Sequence, residues 1–152
     1  VDKIQQKVGD VAITADVIVG FPGEGKTDFE QTVRLCERIR FTDLHVFPYS
    51  SRPGTSAAHF QESVSSEDKA ARCRMLIDIG QSHAEAFRRG LVGTTRSVLW
   101  EKCSTIPDIS EWSGLTDNYV RVATMSEAKL RNTVTPAYLT STEDGLMRAH
   151  VK

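Results

Sequence analysis

Cysteine is scarce in this 152-residue sequence: Cys36, Cys73 and Cys103 are far apart and odd in number. That argues against a disulfide framework and against a metal cluster of the Cys-x-x-Cys sort. Cys36 and Cys73 fall at apolar helix positions, so buried thiols are their expected role. No apolar run approaches the roughly 20 residues of a membrane helix, and no basic, apolar and small-residue signal series opens the chain. Neither sign of charge dominates. Nineteen basic residues face twenty acidic ones, a net −1, so electrostatics alone do not announce a nucleic-acid partner. The halves tilt slightly: thirteen acidic and ten basic residues through Phe87, then nine basic and seven acidic from Arg88. The first residue is Val1 rather than methionine, and the chain reads as a fragment.

What the sequence does contain is organised around Thr14-Ala-Asp-Val-Ile-Val-Gly-Phe-Pro-Gly-Glu24 and the Gly25-Lys26-Thr27 that follows. A β-branched apolar run ends in glycines and a helix signal follows, with Thr27 as N-cap and Glu30 three residues on. This predicts a buried parallel strand, a ligand-facing turn, then a helix. Two readings share these letters. Gly20 to Thr27 fits a phosphate loop, in which Lys26 reaches outer phosphates and Thr27 holds magnesium. Alternatively, Gly20, Phe21, Pro22, Gly23 and Glu24 let a strand end approach a flat cofactor, and Lys26 and Thr27 only enter the helix.

The flanking segments predict a parallel α/β series. Residues 2–8 read as a helix closed by Gly9, and residues 28–40 as one with the stripe Phe29, Val33, Cys36 and Ile39. Residues 43–49 read as a strand in which Pro48 must end or bulge the pairing. Its end, and the loop carrying Arg52, fall beside the 20–24 turn at the carboxyl edge of the sheet, where such folds bind ligands. A long helix over residues 67–89, opened by Ser65 and Asp68, should bury Cys73, Leu76, Ile77, Gly80, Ala84 and Phe87, with a boundary near residue 90. Beyond it the period changes to two. Residues 95–102, 119–123, 133–139 and 146–151 are candidate strands of a small antiparallel barrel of the oligonucleotide-binding sort. Tyr119 and Arg121 read there either as a stacking platform with a phosphate contact or as a corner tyrosine with a solvated cation.

Three blocks together resemble the C-terminal part of the radical-SAM tRNA methylthiotransferases: the 14–24 block followed by Asp28-Phe29; His45-Val-Phe-Pro-Tyr-Ser50 with Arg52-Pro-Gly-Thr55 and Ala57-Ala58; and Gly114-Leu-Thr-Asp-Asn-Tyr119. The second block is most similar to the branch that acts on threonylcarbamoyladenosine. The resemblance implies that residues 1–86 are the last strands and helices of a radical-SAM partial barrel. It implies that residues 87–152 are a TRAM domain, a small RNA-binding β-barrel. It also implies a cytoplasmic enzyme using S-adenosylmethionine and two [4Fe-4S] clusters, neither cluster held here, because the Cys-x-x-x-Cys-x-x-Cys pattern is absent. The same resemblance leaves no catalytic or metal residue in this chain. It places Gly20, Phe21, Pro22, Gly23, Glu24, Val46, Phe47 and Tyr49 at the cofactor. The RNA contacts are expected at Arg52, Arg96, Lys102, Asn118, Tyr119, Arg121 and Arg131. The expected partners are a tRNA anticodon stem-loop, the remaining domains of the same protein and, through an open sheet edge, a second copy. Family patterns vary at residues 25–27, which makes the phosphate-loop match accidental. The chemistry agrees, since Glu24 would put a carboxylate in a phosphate nest.

Overall fold

The computed structural model describes residues 1–61, 64–106 and 109–152, and divides into two compact units, Val1–Ala84 and Glu85–Lys152. The first unit runs α1 (Asp2–Lys7), β1 (Thr14–Val19), α2 (Lys26–Ile39), β2 (Asp43–Pro48) and a 3-10 turn (Ser56–His59). The helix α3 (Ser66–Leu91) runs through the division. Among the described residues no helix is long and apolar enough to cross a membrane.

β1 and β2 pair in parallel, from Thr14 opposite Asp43 to Val19 opposite Pro48. The ladder ends at Pro48, which has no N–H to donate, and Tyr49 N–H closes it on Val19 O at 2.8 Å. Two strands alone are marginal in water, so packing must hold them. Val19, Leu44 and half-buried Ala15, Val17 and Val46 meet Phe29, Cys36 and Ile39 of α2 and Leu76 of α3. The alternate residues Asp16, Ile18, His45 and Phe47 are exposed, Ile18 at 58% and Phe47 at 50%. β1 is therefore covered on one face rather than buried on both as its apolar run predicts, because α2 and α3 pack against the same side.

The helix signals need correction at their ends. α2 starts at Lys26, two residues earlier than expected; Gly25 rather than Thr27 is its N-cap and donates its N–H to Asp28 Oδ2 at 2.9 Å. Glu30 pairs instead with Lys26 at 4.0 Å in solvent. α1 stops at Lys7, with an extended Val8 as its C-cap rather than Gly9. The α2 stripe holds as read. At the start of α3, Ser65 Oγ accepts Asp68 N–H at 3.0 Å. On α3 the buried face takes in Lys69, Leu76, Ile79 and Gly80, while Ile77 is exposed. Gly80 is needed there, since a Cβ would stand 3.0 Å from Leu44 Cβ. Burial pushes the Cys36 thiol up, with Glu37 adding to the effect, and pushes up Cys73 against an opposing Arg74. Cys36 is thus buried as expected, whereas Cys73 is only half-buried.

The second unit is a closed barrel of β3 (Thr95–Ile106), β4 (Ile109–Thr116), β5 (Arg121–Met125), β6 (Val134–Glu143) and β7 (Leu146–Val151), in the order β3-β4-β5-β7-β6. Val98, Trp100, Val122, Ala137, Leu139 and Met147 are fully buried inside it. Trp100 also donates Nε1–H to Thr135 Oγ1 at 2.8 Å. The barrel is mixed, not antiparallel as expected: β5 and β7 run parallel. Parity requires this, because a closed ring with an odd number of strands cannot alternate direction all the way round. β4 was not expected from the sequence, and residue 119 precedes its strand rather than starting it.

Candidate functional site

In the first unit, the strand ends form one cavity. The turn after β1 is tight: Glu24 N–H donates to Phe21 O at 2.9 Å, and Gly20 and Gly23 take positive φ of 73° and 89°. Phe21 is lifted out of that turn, 42% exposed, and meets the edge of Tyr49 at a centroid distance of 5.1 Å and of Phe60 at 6.4 Å. Tyr49 is fixed by its hydroxyl donating to Ala57 O at 3.1 Å. Around these rings lies a cavity of about 510 Å³ lined by Ile18, Phe21, Phe47, Tyr49, Arg52 and Ala57 among others. Apolar and aromatic walls with one cation suit a flat ring that carries or adjoins an anion.

The structure thus brings Phe21, Phe47, Tyr49 and Arg52 together. Gly23 does not line the cavity but has open space where a Cβ would stand, and Pro22 is half-buried in the turn. Three expected cofactor residues are placed otherwise. Val46 lies on the helix-covered face of the sheet, since strand alternation sends it opposite to Phe47. Gly20 is buried against Lys69, whose Cγ lies 2.4 Å from the position of an added Cβ. Glu24 turns its carboxylate inward to Arg72 at 2.7 Å and accepts the Gly20 N–H. A carboxylate bonded to the Gly20 N–H would repel a phosphate in the same turn. With Lys26 90% exposed and paired to Glu30, the geometry disfavours a phosphate loop.

In the second unit the expected RNA residues sort by partner. Tyr119 is 82% exposed in the β4–β5 turn, at φ 61°. A corner tyrosine would be packed, whereas this ring faces solvent. The turn is built by Thr116, whose Oγ1 accepts Val120 N–H at 2.8 Å and bonds Asn118 Oδ1 at 2.6 Å. Asn118 is buried and shapes the turn rather than facing outward. Arg96, on β3, is paired at 2.8 Å with Asp117 of this turn, which ties its guanidinium down. Arg121 is exposed at the start of β5. Lys102 and Arg131 are exposed further along, beyond the bulge after Trp100 and beside the turn in which Asn132 N–H bonds Trp100 O.

Sequence reasoning missed the row that joins these groups. Val134 pairs with Leu99, Leu99 with Leu115, and Leu115 with Arg121, across four strands on the outer face. Leu99 is 42% and Val134 65% exposed. The available signal was Val98-Leu99-Trp100, three consecutive large apolar residues of which a barrel strand can bury only alternate ones.

No family model matches the chain. Among curated proteins, it is 44% identical over 109 residues to a tRNA-2-methylthio-N(6)-dimethylallyladenosine synthase of Nitrosospira multiformis, covering 72% of the chain and 23% of that protein. It is 40% identical over 116 residues to the synthase of the same name from Yersinia enterocolitica, covering 76% and 24%. A third, from Stenotrophomonas maltophilia, is 37% identical over 142 residues, covering 93% and 30%. The chain thus spans about a quarter of the length of the relatives it matches, and along most of its own length it is similar to proteins named tRNA-2-methylthio-N(6)-dimethylallyladenosine synthase.

Proposed function

We propose that this chain is the C-terminal portion of a cytoplasmic tRNA methylthiotransferase of the radical-SAM type. Its first unit supplies part of the S-adenosylmethionine wall and its second, a TRAM-like barrel, grips the tRNA. The observation that carries the reading is the aromatic cavity at the carboxyl ends of β1 and β2. Phe21, Phe47 and Tyr49 offer ring faces and edges to a purine, and Gly23 allows close main-chain approach. Bound there, S-adenosylmethionine would supply, on reduction by a [4Fe-4S] cluster, the radical that activates the target adenosine carbon. The clusters do not fit this chain's own donors: Cys36 is a buried and Cys73 a half-buried thiol of the first unit, and Cys103 belongs to the second. Both clusters, and the strands that would cover exposed Ile18 and Phe47, fall to other parts of the parent protein. A second copy pairing at the open edge of β1–β2 is the alternative cover.

The relatives' names favour the dimethylallyl form over the threonylcarbamoyladenosine that the His45–Ser50 block implied. Adenosine C2 beside the anticodon remains the atom modified. Nucleoside mass spectrometry of tRNA from cells with and without the protein decides this. Loss of the methylthio group from dimethylallyladenosine is the result expected, and loss from the threonylcarbamoyl form alone refutes it.

For the cofactor site, Gly23→Val in the full-length protein is expected to weaken S-adenosylmethionine binding at least about tenfold. A β-branched residue at φ 89° forces the turn to rearrange. Unchanged affinity in a titration would remove the 20–24 turn from the site. Magnesium-ATP should leave the melting temperature where it is, whereas a specific ligand would raise it.

A further inference from the structure

Three charged side chains, Glu24 of the 20–24 turn and Lys69 and Arg72 of α3, gather at that turn largely out of solvent. Lys69 is 8% exposed, and the side chains of Arg72 and Glu24 are 15% and 12% exposed. Arg72 Nη1 lies 2.7 Å from Glu24 Oε2 and 3.2 Å from Glu24 O, and its guanidinium covers the Phe29 ring at 5.1 Å. The same Glu24 oxygen accepts the Gly20 N–H. Lys69 lays its methylenes over Gly20 and brings Nζ to 3.4 Å from Tyr49 O and 5.4 Å from the Tyr49 ring centre. Two residues of α3, one turn apart, thus grip both strand ends that border the cavity.

Desolvating an ion pair costs about as much as its attraction returns, and apolar side chains of similar volume hold a core as well or better. What a buried pair adds is a single geometry. Arg72 bonds both the carboxylate and the main-chain oxygen of one residue, so it specifies where Glu24 sits. Glu24 in turn fixes the direction of the Gly20 N–H at the point where the chain leaves β1.

We propose that Arg72 and Lys69 are positioning residues for the cofactor turn, and that Glu24 acts as their anchor and not as a ligand. Arg72 holds the turn after β1 through Glu24, and Lys69 holds the end of β2 through the Tyr49 carbonyl. The ligand then meets only Phe21, Gly23 and the Tyr49 side of the cavity. This rests on the reading that the turn faces S-adenosylmethionine. The grip itself does not depend on that reading.

The test uses the full-length protein and two readouts. Hydrogen exchange followed by mass spectrometry reports the amides of the 20–25 turn, and calorimetric titration reports S-adenosylmethionine affinity. Arg72→Met is expected to speed exchange of the turn amides at least about tenfold, leave peptides of the barrel core unchanged, and weaken the ligand at least about tenfold. Arg72→Lys should recover part of both, and Glu24→Gln, which keeps an acceptor for Gly20, should fall between. Lys69→Met keeps the methylenes on Gly20 and is expected to loosen the residues after β2 alone. Wild-type turn protection in Arg72→Met overturns the proposal, as does a loosened turn with unchanged ligand affinity. Should Arg72→Met not fold, the Lys and Gln variants decide on the same criteria. If the wild-type protein binds no S-adenosylmethionine, the functional reading fails, and the exchange arm still decides whether Arg72 holds the turn.

Discussion

Gly114→Ala is expected to destabilise the barrel by about 3 kcal/mol, at the upper end of what overpacking costs. A Cβ at residue 114 would stand 2.2 Å from Leu99 O, 2.9 Å from Leu99 C and 3.0 Å from Trp100 Cα. All three are main-chain atoms of the strand opposite, so no rotamer change relieves the clash. β3 has nowhere to go, because on its other side Leu99 is paired with Val134 and the ring is closed. The effect can be read from the barrel alone, since both tryptophans, Trp100 and Trp112, are buried in it. Urea unfolding followed by their fluorescence should show the midpoint fall with the slope kept. Gly90→Ala is the control: no atom outside its own helix lies within 4 Å of the added methyl, so a neutral or slightly stabilising result is expected. Equal behaviour of the two variants would show that the β3–β4 contact is looser than described.

The second large effect concerns Tyr119 and separates binding from stability. Its ring is 82% exposed and the residue sits at φ 61°, where a non-glycine backbone is strained. Packing does not account for it, because the turn is already closed by Thr116 and by Tyr119 N–H on Thr116 O at 2.9 Å. Tyr119→Gly should therefore raise stability, by about 1 kcal/mol, while removing a stacking surface worth roughly 1–3 kcal/mol per base. In a fluorescence titration of the intact chain with an anticodon stem-loop, that is a loss of about 5- to 150-fold. Arg121→Ala should lower the salt slope by about one unit. Undiminished affinity in Tyr119→Gly would take the β4–β5 turn out of the proposed RNA interface.

How much of this was legible depends on which face each element uses. The α2 stripe was readable because all four of its apolar residues meet one core. β4 was not, since it turns Trp112, Gly114 and Thr116 inward and Leu115 outward. Hydrophobic alternation is inverted there: the interior needs a residue without a side chain at 114, and Thr116 is buried to build the turn. Lys69 and Arg72 were overlooked for a related reason. They stand in phase with Cys73, Leu76 and Gly80 on α3, yet cations in an apolar stripe read as solvated until the carboxylate and carbonyl that receive them are known.

By itself, the sequence determined the order of the helices and strands as far as β3, the places of the turns at Gly20 and Pro48, and the likeness to methylthiotransferases. These rest on local rules: proline lacks a donor, glycine tolerates positive φ, and periodicity marks a buried face. Tertiary structure alone decided that the barrel must hold one parallel pair, that Val46 turns away from the cavity while Phe47 lines it, and that Glu24 points back to Arg72. Each of those depends on which distant segment lies across from a residue, and chain closure and side-chain pairing supply that information only after folding.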